Sequence, residues 1–161
     1  MSCRGIAVVV ALLAVSGVAD AQTMHSHSHG SVKLTGASPV ITMERTQCKG
    51  VCAEYKISFY NDGSVVYEGK TGASKAGIWH AAVSKEILDD LVTQFQRIDF
   101  FSLKPSYNGG LSQNPVAITS FRLNDQIKTV SHDEGSPFSP ESLTALEDRV
   151  DAAVQSVNWT R

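Results

Sequence analysis

Three histidines, His25, His27 and His29, alternate along a polar stretch that runs from Gln22 to Ser38. Imidazole is the commonest metal-ligating side chain, and three of them on one flexible segment suit Cu(II) or Zn(II). Such a segment lacks pre-organisation, so weak coordination is what this reading predicts. The competing reading is a solvated leader, because Ser, Gly and His dominate the stretch and it has no apolar face.

A second chemical signal is the pair Cys48 and Cys52, enclosing Lys49, Gly50 and Val51. In an oxidising compartment an even pair predicts a disulfide. Redox-active pairs usually stand two apart at a helix N-terminus, where the thiolate is stabilised. Four apart between strands, this pair reads as a structural bridge that sets local shape.

Arg45, Tyr55, Tyr60 and Tyr67 gather around the first predicted hairpin. Arg and Tyr are common anchors at interfaces, while packing and an exposed sheet face would explain them equally. Arg45 and Tyr55 are the candidate binding residues here. Tyr107 and Asn108 join them as a candidate rim, because they lead into Gly109 and Gly110 and loops held on a rigid sheet often carry function. His80, His132, Ser136 and Ser139 invite a hydrolase triad, but the sequence has no nucleophile elbow. No acid/base pair, phosphate loop or cofactor motif stands out, so neither a catalytic residue nor a cofactor is assigned.

The elements that would position these residues follow from periodicity. Val40 to Arg45 is short and β-prone. Tyr55, Ile57 and Phe59 alternate with polar neighbours, as a half-buried strand requires. Asn61-Asp62-Gly63 makes a turn, and Val65 to Tyr67 returns. Gly77 to Val83 gives a further strand. Ser84 then caps a helix whose apolar face is Ile87, Leu88, Leu91, Val92, Phe95 and Ile98. Ala117, Thr119, Phe121 and Leu123 alternate again, Asn124-Asp125 turns, and Ile127 to Ser131 returns. Ser139-Pro140-Glu141 opens a second helix with Ser as N-cap and Pro at its first position, and Leu143, Leu146, Val150, Ala153, Val154 and Val157 form its stripe. The order β-β-β-β-α-β-β-α predicts an α+β fold, a single antiparallel sheet with two amphipathic helices packed on one face.

The N-terminus carries export signals. Arg4 precedes the apolar run from Ile6 to Val15, which is too short to span a bilayer, and Ala19-Asp20-Ala21 fits a cleavage site. The expected organisation is a signal peptide at 1–21, a His- and Ser-rich leader at 22–38 and a domain at 39–161. The mature protein would be periplasmic or secreted, with no transmembrane segment. A net charge of −2 argues against nucleic acid as a partner, because such binding needs a basic face.

Arg45 to Gly69 resembles a family of exported bacterial domains of unknown function, the one numbered sixty-four thirty-eight. Its pattern is R-x-x-C-x-G-x-C-P-x-Y, then a strand, D-G, and a second strand ending Y-x-G. Arg45, Cys48, Gly50, Cys52, Tyr55, Asp62, Gly63, Tyr67 and Gly69 match, and Ala53 stands at the proline. The family often has an Asp shortly before a proline ahead of the second hairpin, where this chain has Gln113-Asn114-Pro115. The resemblance implies fold and export and transfers no catalytic residue. Together these readings favour an exported, non-catalytic domain that binds an envelope or extracellular partner. The alternatives are an enzyme with a site near Arg45 and the Tyr107 loop, and weak Cu/Zn binding by the leader. A concave pocket with convergent polar groups would speak for an enzyme, and a flat patch or open strand edge for a binding module.

Overall fold

The structure, a computed structural model, describes residues 38–46, 48–110 and 114–161. The expected signal peptide at 1–21, most of the expected leader with His25, His27 and His29, and Gln113 lie outside the described residues.

Strand β1 (Ile41–Arg45) leads to β2 (Tyr55–Phe59), β3 (Ser64–Gly69) and β4 (Gly77–Ala82). Helix α1 (Lys85–Arg97) and a 3-10 turn (Phe100–Ser102) follow. Then come β5 (Ser106–Tyr107), β6 (Val116–Leu123), β7 (Gln126–Asp133) and helix α2 (Glu141–Ala152). One seven-stranded sheet has the order β4-β3-β2-β1-β6-β7-β5. The two hairpin groups therefore meet at β1, which pairs β2 on one side and β6 on the other.

The expectation of a purely antiparallel sheet is corrected at one edge. β5, two residues long and absent from the sequence-based plan, pairs with β7 in parallel. Two residues present no periodicity to read. The position is set by tertiary contacts: the Ser131 N–H donates to Pro105 O at 3.0 Å.

The pleat sorts side chains onto two faces. Ile41, Met43 and Arg45 share one face with Tyr55, Ile57, Phe59, Tyr67, Thr119 and Phe121, as the cross-strand register requires. Phe95 of α1 stacks on Phe121 at 4.6 Å, and Glu147 of α2 bonds Thr119, so both helices lie on this face. Ile57, Phe59, Leu88, Leu91, Phe95, Phe121, Leu143, Leu146 and Val150 are buried, with Leu91 and Leu146 each 2% exposed, while Ile87, at the edge of the expected α1 face, is exposed. The other face carries alternating polar positions, such as Glu44 opposite Lys56.

Ser84 caps α1, accepting from the Ile87 N–H at 3.4 Å. α2 starts one residue later than the sequence suggests. Pro140 is its N-cap, and Ser139 donates its hydroxyl back to Ser136 O.

Candidate functional site

α2 lies on one face of the sheet, and two of its acids reach side chains of β7, β6, β1 and β2. Asp151 meets the end of β1 and β2. Its Oδ2 accepts from Arg45 Nε at 3.0 Å and from a terminal guanidinium nitrogen at 2.8 Å. Its Oδ1 accepts from the Tyr55 hydroxyl at 2.6 Å. The second terminal nitrogen of Arg45 pairs with Glu134, and Asp148 stands at 3.7 Å. Burial works against the Arg45 charge, but Asp151 and Glu134 outweigh it and hold the guanidinium firmly protonated. Burial and the bond to Asp151 push the Tyr55 hydroxyl well above its ordinary range. Arg45, Tyr55 and Asp151 therefore satisfy one another's hydrogen-bonding groups.

One helical turn earlier, Glu147 is 1% exposed. It accepts from Thr119 Oγ1 at 3.1 Å and lies 2.9 Å from His132 Nδ1. His132 is 1% exposed as well, and its Nε2 has no hydrogen-bond partner among the described residues. Burial raises the Glu147 carboxyl above its ordinary value, with His132 opposing.

Beside the Arg45 cluster the sheet is left partly uncovered, and a groove of about 590 Å³ opens there. Tyr55, Ile57 and Tyr67 form its floor. One wall is the end of α2 and the segment after it, with Asp151, Val154, Gln155 and Trp159. The other is the β3–β4 loop, with Gly72, Ser74 and Lys75. Tyr55 and Tyr67 stack at 5.4 Å, and the Trp159 ring stands 5.6 Å from Tyr67 at 56°. Burial, then the charge of Asp151, raises the Tyr67 hydroxyl above its usual range.

The loop wall depends on two glycines. At Gly69 a Cβ would stand 1.7 Å from Lys75 O, so only glycine lets the loop fold back over β3. At Gly72, with φ +70°, a Cβ would stand 2.7 Å from Cys52 O. The Glu54 N–H donates to Thr71 O and the Lys70 N–H to Glu54 O, each at 2.8 Å. Lys70 Nζ bridges Glu44 and Glu54. Cys48 and Cys52 form a disulfide with Cα atoms 5.6 Å apart. This small ring ends at Cys52, on which the β3–β4 loop rests, and its tip residue Val51 is fully exposed.

The candidate binding residues occupy different places. Tyr55 lines the groove and Arg45 lies behind it through Asp151. Tyr107 is buried in β5, its hydroxyl accepting from the Lys104 N–H at 3.1 Å, and it does not line the groove. Asn108 is exposed and accepts from the Gly110 N–H. Sequence reasoning missed Asp151, Glu147 and the groove. The signal was present: Glu147 and Asp151 fall on the same stripe as Leu143, Val150 and Val154, and a charge on an apolar stripe requires a buried partner.

Residues 39–154 match the family described as Domain of unknown function (DUF6438). No curated protein and no solved structure matches the chain.

Proposed function

The chain belongs to this family of domains of unknown function, and from that premise we propose that it is an exported, non-catalytic domain that holds a partner in the Tyr55–Tyr67–Trp159 groove, at the cell envelope or outside the cell. One observation carries the reading. The floor of the groove, Tyr55, Ile57 and Tyr67, comes from the stretch between Arg45 and Gly69, while the one carboxylate among its described lining residues, Asp151, is already engaged by Arg45 and Tyr55. What faces the groove is aromatic surface with hydroxyl, amide and ammonium groups, which suits recognition. Export rests on the N-terminal sequence.

The concavity itself favours the rival reading of an enzyme at this place. Against it, a general base must be free to take a proton. Asp151 holds three hydrogen bonds, and the Tyr55 proton is held tightly.

A photo-crosslinking residue placed at Ser74, on the exposed groove wall, tests the reading in the native exported fraction. Asp125, in the exposed β6–β7 turn, serves as the control position. Adducts from position 74 alone are expected, together with a mature chain that begins at Gln22. Equal labelling at both positions, or none at 74, would remove the groove from the account. Retention of residues 1–21 in the native chain would remove export.

A further inference from the structure

We propose that the groove takes a neutral sugar ring of a glycan, with the ring's C–H face on Trp159 and its hydroxyls bonded by the groove walls. The inference rests on the groove reading above and adds the ligand's class.

Charge balance is the first argument. Lys75 brings one ammonium and makes no ion pair among the described residues. Opposite it stand Asp151 and the C-terminal end of α2, where carbonyl dipoles leave partial negative charge. The field of Asp151 reaches the floor, since it helps raise the Tyr67 hydroxyl. Asp151 is in turn compensated by Arg45 behind it. An anion would gain at Lys75 and lose at the helix end, and a cation the reverse. A neutral ligand meets neither loss.

Surface chemistry is the second. A sugar ring alternates hydroxyl donors and acceptors around an apolar C–H face. The groove offers both kinds of partner. Gln155 and Ser74 each donate and accept, while Lys75 and the Trp159 indole N–H donate. Trp159 is half-buried, so one part of its ring is held against Tyr67 while it also lines the groove. A rigid aromatic platform with a polar rim offers contact area at little entropic cost. The open shape of the groove leaves room for neighbouring units of a chain.

The mature protein would be titrated by NMR with three probes: a β-linked N-acetylglucosamine oligomer, a glucose oligomer and a mannose oligomer. A tyrosine-containing peptide and a polyuronate are the contrasting probes. At least one neutral glycan should shift the Trp159 indole N–H while leaving that of Trp79, which does not line the groove. Trp159→Ala should weaken that binding about tenfold. Because Trp159 also packs on Tyr67, Ser74→Ala and Gln155→Ala serve as variants at exposed positions, each expected to weaken it about threefold through one lost hydrogen bond. Affinity should be nearly independent of salt, since no net charge is exchanged.

Failure of all three neutral glycans overturns the sugar proposal, as does tighter binding of the peptide or the polyuronate. In either case crosslinking from position 74 still reports on the groove. Loss of both signals removes both readings.

Discussion

Replacing Asp151 with Ala tests the cluster that sets the end of α2. Three hydrogen bonds disappear, two from Arg45 and one from Tyr55. The Arg45 side chain is 14% exposed and that of Asp151 24%, so both sit between a buried pair and a surface pair. Removing one partner of a fully buried pair costs about 3–5 kcal/mol, and an exposed pair contributes about 0–1 kcal/mol. Arg45 keeps Glu134, and Asp148 can close from 3.7 Å. Stranding the Tyr55 hydroxyl adds about 1 kcal/mol. The expected loss is therefore about 2–3 kcal/mol, or about 10 °C in melting temperature for a domain of this size. Tyr55→Phe removes only one bond and should cost about 1 kcal/mol. Urea unfolding of Arg45→Met, Asp151→Ala and the double variant gives the coupling energy, expected at about 1–2 kcal/mol in favour of the native pair. A loss below about 0.5 kcal/mol for Asp151→Ala, the range of ordinary surface substitutions, would show that solvent already satisfies these groups.

Three further outcomes are expected. Non-reducing alkylation should leave the intact mass unchanged, and Cys48→Ser with Cys52→Ser should cost about 1–2 kcal/mol, the upper value being what chain entropy allows for so short a loop; uptake of two alkyl groups without reductant would refute the bridge. Gly69→Ala should cost more than about 2 kcal/mol, because its Cβ would meet backbone Lys75 O rather than a movable side chain; a near-neutral melting temperature would show that the loop yields. The Glu147 carboxyl is raised by burial, so the folded state holds its proton longer than the unfolded chain, and stability falls as pH rises above the ordinary value of 4.5. Unfolding titrations of Glu147→Gln should lack that downward slope, and parallel curves for the two proteins would refute the assignment.

The leader's chemistry stands apart, since His25, His27 and His29 lie outside the described residues. We expect calorimetric titration with Cu(II) to give weak binding by these imidazoles that fades below about pH 6.5, where they protonate. Their joint replacement by Ala should abolish it, and undiminished binding would leave the leader a solvated tether.

Much of the fold was legible because it is written in local periodicity. Tyr55, Ile57 and Phe59, and again Ala117, Thr119 and Phe121, alternate as strands must, and α1 carries its cap and stripe in plain order. β5 was not legible, since a two-residue parallel pairing is decided by where the chain returns after the 3-10 turn. The candidate site divides in the same way. Arg45 and Tyr55 could be chosen from residue type and neighbourhood. Asp151 is 106 residues from Arg45, and no local pattern specifies such a pairing. Tyr107 shows the converse: its type and its Gly-rich neighbourhood suggest a rim, while its ring is needed inside to close the sheet edge.

The two acids of α2 link the core to the groove. Leu143, Leu146 and Val150 are buried against the sheet, but apolar burial is non-directional and would tolerate small slides of a helix. Glu147 and Asp151 are four residues apart, about 6 Å along the axis. Glu147 is held by β6 and β7 through Thr119 and His132, and Asp151 by β1 and β2 through Arg45 and Tyr55. Hydrogen bonds to four strands demand one translation and one rotation of the helix, because their geometry fails within a fraction of an ångström. The chain beyond Asp151 then has little choice. Val154 and Gln155 face the β3–β4 loop, and Trp159 reaches Tyr67 before Thr160 exchanges two backbone bonds with His80 on β4. The width of the groove is thus set by polar contacts that are mostly outside it. These part-buried and buried acids thereby fix the shape of the surface proposed to bind.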